Sequence, residues 1–176
     1  MFTEQVCRKW LDRDVVGCNG KVEMKFLKQS RYQDANVVHG AVQTLRQNPN
    51  RRSIVVLATG LHDNLNFRAM QQKVLLPLLR NRTREELSRP RLVWMSVPCP
   101  GLLKNGNQRQ GRENVLRFNR EMARFLRTWH VPVLERFNMT DGVMSFDGTH
   151  FGLGLNRAAA QVILYYLREL RLKRLW

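Results

Sequence analysis

Apolar residues recur along this chain with two different periods, and the alternation between those periods predicts its elements. Val22 to Leu27 reads as a short strand, after which Asp34 to Gln47 sets Ala35, Val38, Val42 and Leu45 at helical spacing. Ser53 to Thr59 is a continuous, β-branched run that ends at Gly60, the pattern of a strand buried on both faces of a parallel sheet. Phe67, Met70, Val74, Leu75 and Leu78 mark a second helix, expected to fray in the Arg-rich stretch before Pro90. Leu92 to Val97 is another apolar run, stopped by Pro98 and Pro100, and a Gly- and Asn-rich loop leads from it to Gln110. The stripe of Val115, Phe118, Met122, Phe125, Leu126 and Trp129 predicts a long amphipathic helix as far as His130. Val131 to Phe137 predicts a last short strand, and Asn156 to Leu172 a closing helix that carries Ala159, Val162, Ile163, Tyr166 and Leu170 inward.

Strands alternating with helices predict an α/β fold, a mostly parallel sheet covered by helices on both faces. At 176 residues with 43% hydrophobic content, one core and a single domain over 1–176 are expected. Trp94, Tyr165, Tyr166 and the methionines fall inside strand or helix patterns and are assigned to packing.

Charge narrows the partners. Thirty Lys and Arg against fourteen Asp and Glu give +16, a field that attracts nucleic acid, anionic membrane or acidic glycan. Twenty-three of the cations are Arg, which grips carboxylate and phosphate with two parallel N–H donors. They are spread through helical segments, as at Arg112, Arg117, Arg120, Arg124 and Arg127, and not gathered in a tail, so a solvated helix face accounts for most of them.

The sequence has no apolar run of membrane-spanning length, and Met1 is followed by a polar stretch and no signal peptide, which points to synthesis in the cytosol. Two Asn-x-Thr sequons, Asn81-Arg82-Thr83 and Asn138-Met139-Thr140, point instead to a secretory lumen. Cys7 and Cys18 could close a short loop in an oxidising compartment and leave Cys99 over, or all three could be reduced, buried thiols.

Two polar loops carry the candidate chemistry, because in an open α/β sheet reactive groups gather where strands end and helices begin. Gly60-Leu61-His62-Asp63-Asn64 follows the best strand: Gly60 permits a sharp exit, and His62, Asp63 and Asn64 offer donors and acceptors. The plain alternative is that Asp63 or Asn64 caps the next helix. Asp147-Gly148-Thr149-His150 precedes the closing helix. A carboxylate three residues before a histidine can accept the Nδ1 proton and leave Nε2 to deprotonate a hydroxyl. Here the alternative is an Asp147-Gly148 turn with Thr149 or Asn156 as a cap and His150 incidental. Cys99 between two prolines is a third, weaker candidate, as a thiol nucleophile. No metal site and no cofactor is called for.

In these two blocks, and in their placement from Val22 to Leu170, the chain resembles the SGNH hydrolases, and within them the PC-esterase and sialate O-acetyltransferase-like branch. The resemblance implies a flavodoxin-like three-layer sheet, His150 as general base, Asp147 as its partner, and Gly60, His62, Asp63 and Asn64 as the oxyanion and substrate-binding block. In that block His62 stands where the family has Asn, so Asn64 or a backbone N–H would serve as oxyanion donor. No Gly-Asp-Ser occurs anywhere in the chain, so the nucleophilic serine and the central first strand that carries it are missing. Phe2 to Leu11 reads as the amphipathic helix that would follow that strand. A truncated gene product or isoform is the favoured explanation; a split or degenerate relative, or a different family, are the others.

The expected function is therefore a fragment of an acyl esterase or O-acyltransferase acting on an ester-bearing small molecule or glycan, with the complete relative in the secretory pathway and this chain inactive alone. The competing expectation is a non-catalytic basic module for nucleic acid or acidic glycans.

Overall fold

The computed structural model describes residues 15–17, 19–20, 22–27, 31–48, 52–80, 83, 90–101 and 108–175. Phe2 to Leu11, Cys7, Cys18, Asn81 and Arg82 lie outside them.

Strand β1 (Val15–Gly17) pairs antiparallel with β2 (Val22–Met24), Val16 opposite Glu23. The expected strand at Val22 is therefore shorter than its apolar run and belongs to a hairpin, not to the parallel sheet. Asn19 (φ 55°) and Gly20 (φ 81°) account for this, since two successive left-handed residues match the twist of a tight hairpin.

A 3-10 turn at Tyr32–Asp34 leads into helix α1 (Ala35–Arg46). Strand β3 (Ile54–Leu57) follows, and then helix α2, which runs as Phe67–Ala69, a π-helical stretch Met70–Leu75, and Leu76–Leu79. Pro77 explains the widened turn, because proline lacks an N–H and its ring crowds the preceding turn. The N–H of Leu76 reaches back to the Gln71 carbonyl, and the Val74 carbonyl is met at 3.0 Å by Nε2 of His39, the donor there because a carbonyl can only accept.

Strand β4 (Arg91–Met95) precedes helix α3 (Arg112–Thr128). Helix α3 ends in a Schellman motif: His130 is left-handed (φ 55°), and the N–H groups of His130 and Val131 return to the carbonyls of Arg127 and Leu126. Strand β5 is confined to Val133–Leu134, because Phe137–Thr140 turns into a short helix, α4, where an extended strand was expected. Helix α5 (Leu153–Leu172) closes the described chain.

The second sheet is parallel, in the order β3-β4-β5, with Val56 opposite Val93 and Met95 opposite Leu134. Alternation along it feeds two apolar clusters. Leu57, Leu92 and Trp94 join Val38 and Val42 of α1, Met70 and Val74 of α2, and Phe118, Met122 and Leu126 of α3. Val93, Met95 and Leu134 form the other, with Ile54, Val56, Val162, Ile163 and Tyr166 only partly buried against them. Tyr165, expected to pack, is 62% exposed on α5. The chain is thus a mixed α/β protein built on a three-stranded parallel sheet. Among the described residues β3 pairs with β4 alone, and no helix is long and apolar enough to cross a membrane.

Candidate active site

Because the three strands run parallel, the segments after β3, β4 and β5 all leave from one rim. Strand spacing of about 4.8 Å sets β3 and β5 about 10 Å apart, with the β4 segment between them. Packing links the three. A Cβ on Gly60 would lie 2.9 Å from Cζ of Phe118 and 3.4 Å from Cγ2 of Val97, and one on Gly101 would collide with the Ser145 side chain. The Gly101 N–H also donates to the Gly148 carbonyl at 3.0 Å.

The segment after β5 carries the expected dyad. Asp147 Oδ1 accepts the backbone N–H groups of Thr149 and His150, both at 2.8 Å, and Oδ2 lies 2.7 Å from His150 Nδ1. Gly148 (φ 78°) makes the turn that allows it. Partial burial would raise the Asp147 carboxyl, but the His150 N–H, the imidazole and the Thr149 N–H outweigh it and hold the group at about 2. A carboxylate that only accepts fixes the proton on Nδ1, so Nε2 is the nitrogen able to take a proton from a hydroxyl. The imidazole is 72% exposed, on the outer surface of the rim. The cap of α5 is Gly152, and Asn156 instead donates to the Phe151 carbonyl.

The segment after β3 is tighter. Gly60 has φ 133° and the Phe118 ring against it, so only glycine fits. Leu61–Asp63 form a 3-10 turn; His62 is exposed, while Asp63 is buried. Burial raises the Asp63 carboxyl, and its Oδ2 accepts the Tyr32 N–H at 3.0 Å, which anchors this loop to the start of α1. Asn64 (φ 49°) and Leu65 (φ 60°) are consecutive left-handed residues, a costly arrangement for leucine. Gln110 Nε2 ties the loop down through the Leu61 carbonyl at 2.7 Å. The cap of α2 is neither Asp63 nor Asn64 but Asn66, whose side chain accepts the Ala69 N–H.

Three supporting residues carry no motif. Asn119, buried on α3, accepts the Val97 N–H at 2.9 Å and donates to the Val97 carbonyl at 2.8 Å, giving the chain beyond β4 the pairing a strand would have given. Its signal was a polar residue inside the apolar stripe of α3. Ser96 Oγ donates to Glu135 Oε1 at 2.8 Å and accepts the Arg136 N–H at 2.7 Å, tying the β4 exit to the β5 exit. Arg112 grips Asp141 through Nε at 3.1 Å and Nη2 at 2.6 Å.

Cys99 is 1% exposed, and its thiol donates to Asp141 Oδ1 at 3.4 Å. Burial, then that hydrogen bond and the Asp141 charge, push the thiol up to about 11, the opposite of what a nucleophilic cysteine needs. In the sequon Asn138-Met139-Thr140, Asn138 is exposed, but the Thr140 hydroxyl is buried and accepts the Cys99 N–H at 2.7 Å.

The chain matches no family model, no curated protein and no solved structure.

Proposed function

We propose that Asp147 and His150 are the base half of an acyl-transfer site of the SGNH type, in a flavodoxin-like three-layer domain whose nucleophilic serine stands outside these 176 residues. The observation that carries the reading is the 2.7 Å contact between His150 Nδ1 and Asp147 Oδ2, on the rim that also bears the Gly60 loop. A further strand would lie along the β3 edge opposite β4, where Ile54 and Val56 are only partly covered. Its C-terminal end would bring a hydroxyl to this rim. That hydroxyl would attack the acyl carbonyl, Nε2 of His150 would take its proton and return it to the leaving oxygen, and Asp147 would hold the imidazolium. Asn64, with an exposed side chain, or a backbone N–H of the Gly60 turn would receive the developing oxyanion. An ester-bearing glycan or small molecule would supply the acyl group, and water or a sugar hydroxyl would accept it.

The chain by itself then lacks a nucleophile. The 176-residue protein should hydrolyse p-nitrophenyl acetate no faster than its His150→Ala variant, and a rate that falls sharply in that variant would show that the nucleophile is already present.

A second reading draws on the exposed Arg117, Arg120, Arg124 and Arg127 of α3, whose cations suit a polyanion. If binding polyanions is the function, affinity for heparin or single-stranded RNA survives moderate salt and is unaffected by His150→Ala.

A further inference from the structure

Helix α5 turns one face to the sheet and presents a mixed face to solvent. At about 100° per residue, Arg157, Leu164, Tyr165, Arg168, Arg171 and Leu172 fall within about 120° of arc, a third of the helix circumference. Ala159, Val162, Tyr166 and Leu170 take the opposite side, buried or partly buried. On the outer face Leu164 is 56% exposed, Tyr165 62% and Leu172 65%, three large apolar side chains together where isolated ones would be ordinary. The three arginines are exposed as well, and none has a carboxylate partner among the described residues. Glu169, the one acid of α5, lies beside this face and pairs with Lys173 at 3.4 Å.

From Arg157 to Leu172 these positions cover about 22 Å along the axis, with arginines interleaved among the apolar residues. The end of the helix is fastened to the sheet, because Arg91 Nη2 donates to the Leu175 carbonyl at 3.1 Å. We infer that α5 docks the protein on an anionic lipid surface, its axis lying in the plane of the interface. Leu164, Leu172 and the Tyr165 ring enter the boundary between headgroups and acyl chains, and the guanidinium groups of Arg157, Arg168 and Arg171 reach lipid phosphates on their long stems. Tyrosine suits that depth, with an apolar ring and a hydroxyl that stays wet. A nucleic acid would engage the arginines alone and leave both leucines in water, so the apolar half of the face favours lipid. The net charge of +16 adds attraction at longer range. Docking requires no reaction at His150 and does not depend on acyl transfer.

The test is flotation of the 176-residue chain with phosphatidylcholine vesicles, made with and without phosphatidylserine. The chain should float with the phosphatidylserine vesicles and stay behind with phosphatidylcholine alone. Arg168→Gln and Arg171→Gln together should weaken partitioning by roughly 30-fold, the loss of two cations at an anionic surface. Leu164→Ser and Leu172→Ser together should weaken it by roughly tenfold or more. All four side chains are exposed, so both double variants should keep the far-UV circular dichroism of the parent chain. Arg68 and Arg80 are exposed on the other side of the sheet, and Arg68→Gln with Arg80→Gln, the same change in charge, should alter partitioning by less than about threefold. Binding that survives loss of the two leucines would mark a polyanion contact of the kind nucleic acid makes, and would overturn the assignment. An equal loss in the Arg68 and Arg80 double variant, or no flotation with phosphatidylserine vesicles, would overturn it too.

Discussion

At the scale of single residues, the Asp147 carboxylate decides how the imidazole is presented. It collects two backbone N–H groups and Nδ1 of His150, and these hold it near 2 against the ordinary 3.8. With the folded value below the unfolded one, the stabilisation it gives the 147–150 turn is complete above 3.8 and is lost as the pH falls through about 2. Observed by carboxyl-carbon NMR, Asp147 should titrate near 2, and His150→Ala should raise the midpoint only part of the way toward 3.8, because the two backbone donors remain. A midpoint at or above 3.8 in the parent chain would mean that the carboxylate does not hold the ring. Asp-x-x-His was legible as a pair in the sequence because the contact spans only three residues. The inward turn of Asp63 was not, because its partner Tyr32 lies 31 positions away.

At the scale of elements, helix α3 organises the rim. Phe118 fills the space that Gly60 vacates, and Asn119 pairs both backbone groups of Val97. Asn119→Ala would leave a buried N–H and a buried C=O without partners, and should lower the free energy of unfolding by about 2–4 kcal/mol in a urea titration. An effect within the error of the titration would show that Val97 finds other partners. Helices α1, α2, α3 and α5 were readable from periodicity, because each buries a stripe long enough to repeat, and strands β3 and β4 from their continuous apolar runs. The short pieces were not. Strand β5 has two residues, and nothing in the apolar run from Val131 separates it from the helical turn that begins at Phe137. The hairpin of β1 and β2 was signalled by Asn19-Gly20, a stronger cue than the apolar run after it. Tyr165 shows the limit of periodicity: its neighbour Tyr166 takes the inward position, and one residue of rotation turns Tyr165 to solvent.

At the scale of the whole molecule, the parallel order β3-β4-β5 places the Gly60 loop, the β4 exit and the Asp147–His150 turn on one rim. Ile54, Val56, Val162, Ile163 and Tyr166 are only partly covered, and the Tyr166 hydroxyl is buried without a hydrogen-bond partner among the described residues. A strand laid along β3 would cover the first two and extend the sheet beyond the edge opposite β4. The most direct measurement is to join a β-strand ending in Gly-Asp-Ser to the chain ahead of residue 1, to follow amide exchange along β3, and to assay p-nitrophenyl acetate. Exchange at Ile54–Leu57 should slow, and turnover should fall by about 10³-fold or more in His150→Ala. Protected β3 amides without turnover, or turnover indifferent to His150→Ala, would contradict it.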